Sequence, residues 1–300
     1  MQPIVFFGSD QNSTLVLTQL FVAGYPLTVV TDLIPNNPVH LLANQLSLPT
    51  INYNELLSNY HQLPPDIVGI VASFGHILPP ALIERFPQGI LCLHPSLLPQ
   101  YRGATPVPHA IALGDQTTGI TLFKLTAKVD QGEILAQDTE PIHPSDTTPQ
   151  LLDRLFTKGS ELLVNWLTDK QTHRPADLPI SRNLIFTRRF TRESGFIEWP
   201  IIQRLTSDEP VSPSETKNEL LQLSLFQPST IDRSPSTVLH DLVRALTPWP
   251  GIWTNAPTKK GALRVSLVPS SIRFTKCGIL IPGKPKAISW SDFTKYYFSP

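Results

Sequence analysis

The amino-acid sequence predicts an α/β fold, a doubly wound and mostly parallel sheet, with a smaller barrel-like β subdomain at the carboxyl end. Three observations predict it. Over residues 1–172, short apolar runs alternate with capped, amphipathic segments, the order of βα units around a buried sheet. The runs are apolar throughout rather than alternating, as strands covered on both faces are. Charge then divides the chain: residues 1–172 hold 7 Lys+Arg against 14 Asp+Glu, and residues 173–300 hold 17 against 10. We therefore expect one domain over 1–172, a linker over 173–202 and a second domain over 203–300.

Residues 3–7 (PIVFF) form the first strand and run into Gly8-Ser9-Asp10. Asn12 or Ser13 caps a helix over 14–23, with Leu15, Leu17, Leu20 and Phe21 as its apolar positions. No GxGxxG turn follows that first strand, so a dinucleotide site is not expected there. Residues 27–31 are the second strand, 38–47 a short helix and 49–51 a brief strand. Residues 66–73 (DIVGIVAS) are another buried strand, ending in Phe74-Gly75-His76, and Pro79-Pro80 opens a helix. The next strand is 89–93, then a helix over 106–113, then strands at 118–125 and 132–139 with Asp130 in the turn between them. A long amphipathic helix spans 148–167, and Leu151, Leu152, Leu155, Phe156, Leu162, Leu163 and Trp166 line its core face.

Further on, residues 195–199 (GFIEW) read as a strand or an extended anchor. Residues 203–234, rich in Ser, Pro, Glu and Gln, read as a surface insertion or mobile linker. Ser234 caps a helix that starts at Pro235 and runs to Leu246. Short β-prone runs at 263–268, 271–274 and 278–281 make up the small β subdomain.

Bulk properties narrow the function classes. Hydrophobic content of 41% with 16% charged residues describes a globular chain. Two cysteines far apart, Cys92 and Cys277, do not make a disulfide framework, so a reducing, cytoplasmic compartment is expected. The start MQPIVFFGSD lacks a basic n-region, and no run approaches the ~20 apolar residues of a membrane span. Residues 259–295 carry eight Lys+Arg against Asp292 alone, which suits a polyanionic partner or a solvated basic face.

The stretch that organises the chain is GILCLHPSLLPQYRGATP, residues 89–106. A buried strand ends at His94, where Pro95 forces an extended backbone, and a stiff loop with an exposed Tyr101-Arg102 follows. Ligands of open α/β sheets bind at that edge. A histidine there suits proton transfer near neutral pH, and a carboxylate such as Asp130 beside it would fix its tautomer. Taken alone, His94 suits a structural role better than a catalytic one, and an acid in a turn such as Asp130 is more often only a turn former.

The run HPSLLPQYRGATPVPHAIALGDQTTGITLFKLTAKVDQGEIL resembles the signature of the folate-dependent formyltransferases. That signature is Asn-x-His, Ser-Leu-Leu-Pro, an aromatic-Arg-Gly, a Thr-Gly-(Ile/Val)-Thr strand and Asp-x-Gly. GFIEW and LVRALTPWPGIWT, at 195–199 and 242–254, resemble the linker and carboxyl-terminal domain of the branch that acts on methionyl-tRNA. The resemblance spans residues 3–254. It implies a Rossmann-like catalytic domain, an OB-like tRNA-binding domain, and a cytoplasmic monomer. The implied donor is 10-formyltetrahydrofolate as co-substrate, without a metal, and the acceptor is the α-amine of methionine on initiator tRNA. It also implies His94 as base and acid, Asp130 as its orienting carboxylate, and Ser96, Leu97, Leu98 and Pro99 as a loop lining the folate site. Phe74, Gly75 and Ile77 match a neighbouring loop that approaches the pterin. Basic residues including Arg182, Arg188, Lys259, Lys260, Lys284 and Lys286 would meet tRNA phosphates.

Four departures from the pattern are visible. Cys92 stands where the family has the asparagine that helps hold the oxyanion, and a thiol is a weak donor. Position 92 is also open to a plain buried apolar role, or to a thiol nucleophile that the family chemistry does not use. Residues 31–42 are short and carry no Lys or Arg, where tRNA-binding members have a longer basic insertion. The terminal subdomain is shorter than a five-stranded barrel, and the 203–234 segment has no counterpart. Two alternatives therefore stand beside the tRNA acceptor. One is an amino sugar nucleotide as acceptor. The other is a binder of folate or tRNA that has lost its oxyanion donor. A glycinamide ribonucleotide acceptor is set aside, because such enzymes lack a second domain of this kind.

Overall fold

The computed structural model describes residues 1–60, 63, 66–169, 184–226, 233–258, 261–269, 277–281, 283 and 286–297. Arg182, Lys259, Lys260 and Lys284, and the run expected at 271–274, lie outside the described residues. The chain forms two compact units. The first comprises 1–103, 118–140 and 152–186, and the second 104–117, 141–151 and 187–300.

In chain order the elements are β1 (Ile4–Phe7), α1 (Gln11–Val22), β2 (Leu27–Thr31), α2 (Pro38–Gln45), β3 (Thr50–Asn52) and α3 (Tyr53–Asn59). There follow β4 (Val68–Ala72), α4 (Pro80–Ile83), β5 (Ile90–His94), β6 (Arg102–Gly103), α5 (Pro106–Ala112), β7 (Thr117–Lys124), β8 (Ile134–Pro141) and α6 (Thr148–Thr168). The remainder holds β9 (Phe186–Thr187), α7 (Trp199–Thr206), α8 (Glu219–Phe226), α9 (Pro235–Leu246), β10 (Ile252–Thr258), β11 (Gly261–Pro269), β12 (Cys277–Leu280) and α10 (Trp290–Tyr297).

The first unit is built on a seven-stranded sheet of order β3-β2-β1-β4-β5-β7-β8. Strands β1 to β5 are parallel, with Ile4 level with both Leu27 and Val68. The order reverses at β1 and β4, so their carboxyl ends open a crevice between oppositely running connections. At that point α1 is capped by Asp10 rather than by Asn12 or Ser13, because Asp10 Oδ1 accepts the Ser13 amide at 3.1 Å. Ser13 instead donates its hydroxyl to the Ala72 carbonyl at 2.7 Å, tying the helix start to the end of β4. Strand β7 joins β5 antiparallel, setting Cys92 opposite Phe123 and His94 opposite Thr121. One face of this sheet packs Val5, Phe7, Val71, Ile90, Cys92 and Phe123 with Phe74 and Leu98 from the following loops. Helix α6 lies close enough to the sheet that a Cβ at Gly159 would come within 2.8 Å of Ile120.

The second unit holds α5, α7, α8 and α9 and a three-stranded antiparallel sheet of order β10-β11-β12. Here the segment 203–234 departs from the expected surface linker: it completes α7 and contains α8, with Leu205, Leu220 and Leu221 buried. Its polar composition hid a short apolar helix. GFIEW is split as well. Gly195 ends a 3-10 turn, Phe196 bridges Trp253, and Trp199 begins α7.

A buried charge cluster joins the helices of this unit. Asp241 of α9 pairs with Arg233 at 2.8 Å and with Arg244 at 2.7 Å, and all three side chains are under a tenth exposed. The guanidiniums also donate to the carbonyls of Ala112, Ser224, His143 and Asp146. Beside them, His240 is held down to about 4, first by burial and then by the Arg244 charge, with Asp241 opposing. The unfolded chain therefore binds this proton more readily than the fold does. Stability is full above the ordinary value of 6.5 and falls as pH drops from there toward 4. His240→Gln should flatten this acid slope in urea titrations run between those limits. An unchanged slope would place the proton uptake elsewhere.

Candidate active site

Strand β5 ends at His94, which is 6% exposed at the carboxyl edge of the sheet. Its ring is held on one side and faces a carboxylate on the other. Nε2 lies 2.9 Å from the Tyr101 carbonyl oxygen, and Nδ1 lies 3.7 Å from Asp130 Oδ2. A carbonyl can only accept, so Nε2 carries a proton and the neutral ring presents its Nδ1 lone pair on the carboxylate side. Asp130 Oδ2 also accepts the Gly103 amide at 2.7 Å, which keeps one oxygen occupied in the resting state.

Both partners of His94 stand on unusual backbone. Tyr101 has φ of 53° and Asp130 φ of 49°, left-handed conformations that cost non-glycine residues on the order of 1 kcal/mol each. The expectation of an exposed Tyr101 is corrected: its side chain is 2% exposed, and its carbonyl meets His94. Downstream, a Cβ at Gly132 would overlap the Lys124 carbonyl oxygen, so the Asp-x-Gly turn needs glycine at that point.

Burial lowers the His94 pKa, while the Asp130 charge and the Tyr101 carbonyl pull it back up. The imidazole is thus neutral near pH 7 yet faces a carboxylate that would welcome its charge. An imidazole in that state is chemically able to accept a proton.

The loop after His94 is pinned from beneath. Thr121 Oγ1 donates to the Ser96 carbonyl at 2.6 Å and accepts the Leu98 amide at 3.1 Å. Gln137 Nε2 donates to Leu98 O and to Thr121 Oγ1, each at 2.9 Å. Ser96 is fully buried and gives its hydroxyl to the Gln100 carbonyl at 2.8 Å. Leu98 points into the apolar core, while Leu97 and Pro99 are half-buried. Of these residues Thr121 belongs to the Thr-Gly-Ile-Thr strand, whose pattern alone gives it no role, and Gln137 carries no sequence signal.

The neighbouring loop, Phe74 to Ile77, follows β4. Phe74 is buried with its ring edge-on to Phe7 and Tyr53, at centroid distances of 5.5 and 5.1 Å. Gly75 takes φ of 80°, and Ile77 stands 81% exposed. The loop is strapped to the sheet by Tyr53, whose hydroxyl donates to the Ile77 carbonyl at 3.0 Å, and by the 2.9 Å pair of His76 with Asp32.

Cys92 lies two residues before His94 on the same face of β5. It is 9% exposed and packed in the apolar cluster with Leu98 and Phe123. Burial, and after it the Asp130 charge, push its thiol well above the usual range, so it stays protonated. A neutral thiol in this setting is not an activated nucleophile. Arg188 and Lys286 are both exposed in the second unit.

Comparison with known proteins returns formyltransferases. A family model for formyl transferase matches residues 31–167, a span that includes His94 and Asp130. The methionyl-tRNA formyltransferase of Roseiflexus sp. is 33% identical over 287 residues, covering 87% of this chain and 76% of that protein. That of Dehalococcoides mccartyi is 30% identical over 294 residues, covering 90% and 83%. Among solved structures, a 4-N formyltransferase from Francisella tularensis aligns with a TM-score of 0.60 at 13% identity, over 90% of this chain and 99% of the other. A sugar N-formyltransferase from Shewanella sp aligns at 0.56 and 16%, over 91% and 100%. At such identities these structures speak to the fold.

Proposed function

This chain belongs to the methionyl-tRNA formyltransferase family, and from that premise we propose that it moves the formyl group of 10-formyltetrahydrofolate onto the α-amine of methionine carried by initiator tRNA. The observation that carries the reading is the orientation of His94, with Nε2 committed to a carbonyl and the free Nδ1 turned toward a carboxylate. The amine attacks the formyl carbon, and His94 Nδ1 takes the proton it sheds. The imidazolium is then stabilised by Asp130, and it returns the proton to the departing folate nitrogen as the tetrahedral intermediate collapses.

The two loops that follow β4 and β5 suit a flat, partly apolar co-substrate. They offer exposed Gly75 and Ile77 on one side and half-buried Leu97 and Pro99 on the other, on backbones fixed by Tyr53 and Thr121. The basic residues of the second unit, Arg188 and Lys286 among them, suit tRNA phosphates. The proposal is tested by transfer of labelled formyl to charged initiator tRNA, with a dTDP-linked amino sugar offered in parallel. Transfer to the sugar nucleotide alone would overturn the acceptor assignment. The short 31–42 segment without Lys or Arg is the feature that favours that second acceptor.

Position 92 gives a further expected result. Asparagine there restores an amide donor for the developing oxyanion, which acts mainly on the transition state. Cys92→Asn should raise kcat about 10-fold and leave folate affinity unchanged. The buried amide should also lower stability by about 1–3 kcal/mol where it stays unpartnered in the resting enzyme. Equal rates for wild type, Cys92→Asn and Cys92→Ala would remove position 92 from the chemistry.

A further inference from the structure

The second unit carries a cavity of about 530 Å³ that lies outside the formyl-transfer residues. It is lined by Arg192, Trp249, Pro250, Trp253, Arg264 and Ser266. Its size falls in the range of small-ligand sites. Two features set it apart from an ordinary surface hollow.

The first is how rigidly one wall is built. Trp253 is 9% exposed, and its Nε1 donates to the Arg192 carbonyl at 3.0 Å. The Phe196 ring packs on it at 4.7 Å, and the Arg264 guanidinium sits 3.8 Å from its centroid. That stack fixes Arg264 in place before any ligand arrives. Among the described residues neither Arg192 nor Arg264 has a carboxylate in ion-pair range, so both charges remain available.

The second feature is Trp249. It is 59% exposed, held between Pro248 and Pro250 at the end of α9. Few groups match an exposed indole beside two unpaired guanidiniums. A planar base with a phosphate on each side does. Trp249 stacks the base, and Arg192 and Arg264 take the phosphates.

We propose that this cavity is a binding site for one unpaired nucleotide of an RNA. The inference rests on the tRNA acceptor proposed above and adds to it a place where a base is held by stacking rather than by charge alone. An acidic peptide would satisfy the guanidiniums but leave Trp249 unused.

The test uses the full-length protein with two probes: uncharged initiator tRNA, and a fluorescently labelled single-stranded hexaadenylate read by anisotropy. Trp249→Ala should weaken both about 10-fold, the scale of one stacked base, with the salt dependence unchanged. Trp249→Phe should keep most of the affinity. Arg192→Gln and Arg264→Gln should each reduce the salt slope by about 1. Equal affinities for wild type and Trp249→Ala would overturn the site, as would inorganic polyphosphate binding as tightly as hexaadenylate. The two readings fail separately. A protein that formylates methionyl-tRNA with the same KM before and after Trp249→Ala keeps its proposed function and loses this site. One that binds hexaadenylate through Trp249 yet formylates no tRNA keeps the site and loses the acceptor.

Discussion

Replacing His94 by glutamine is expected to lower kcat by about 10²–10⁴, the usual loss when a positioned base is removed. Glutamine suits the experiment because its amide N–H can still donate to the Tyr101 carbonyl, which His94 Nε2 reaches at 2.9 Å. The ring's structural bond is thus kept while the basic lone pair is lost. Folate affinity, measured by titration, should change little, so the defect appears in kcat and not in KM.

The pH profile gives the same residue a second test. Burial lowers the His94 pKa against the opposing pull of Asp130, and the proposed transfer needs the neutral ring. Activity should therefore hold as pH falls to 6.5, the ordinary imidazole value, and decline only below it. Asp130→Asn removes an upward pull, so its acid limb should move lower still while the rate drops, because the imidazolium loses its partner. A carboxylate that merely shaped the turn would leave the limb in place. His94→Gln within tenfold of wild type, or an acid limb indifferent to Asp130, would sink the assignment.

Much of this site was legible in the sequence because it is local. Residues 89–94 read as a buried strand stopped by Pro95, and β5 ends at His94 in register with β7. Asp130 was legible as a turn acid, but its reach to His94 depends on the β5–β7 pairing, which composition does not encode. Tyr101 misled because an aromatic beside Arg102 and Gly103 looks like a loop tip. In the fold it is buried, with φ of 53°. The 203–234 segment failed for the opposite reason. Its Pro213-Ser214 pair does open a 3-10 turn, yet ELLQLSLF after it is a two-turn helix too short for periodicity to reveal. Helix α3 was lost in the same way, at seven residues. The stacked wall at Trp253 was illegible, since Phe196, Trp253 and Arg264 come from three separated segments.

Asp241 is where the largest loss of stability is expected. Its carboxylate is the shared partner of Arg233 and Arg244, at 2.8 and 2.7 Å, with all three side chains under a tenth exposed. Removing one member of a buried ion pair leaves the other charge without compensation, at about 3–5 kcal/mol. Here Asp241→Ala strands two guanidiniums at once. Four carbonyls soften the loss by accepting from them, those of Ala112, Ser224, His143 and Asp146, but none carries a full charge. The melting temperature should fall by roughly 10 °C, taking a few degrees per kcal/mol for a chain of this size. The same logic predicts that the pairing is costly to break rather than strongly stabilising. Changing all three residues together, Arg233→Met, Asp241→Leu and Arg244→Met, should recover most of the loss, because apolar side chains avoid the desolvation that the ions suffer. An Asp241→Ala protein melting within about 2 °C of wild type would mean that water reaches the guanidiniums. A triple variant no better than the single one would mean that the bonds to the four carbonyls, and not the charge pairing, hold these helices together.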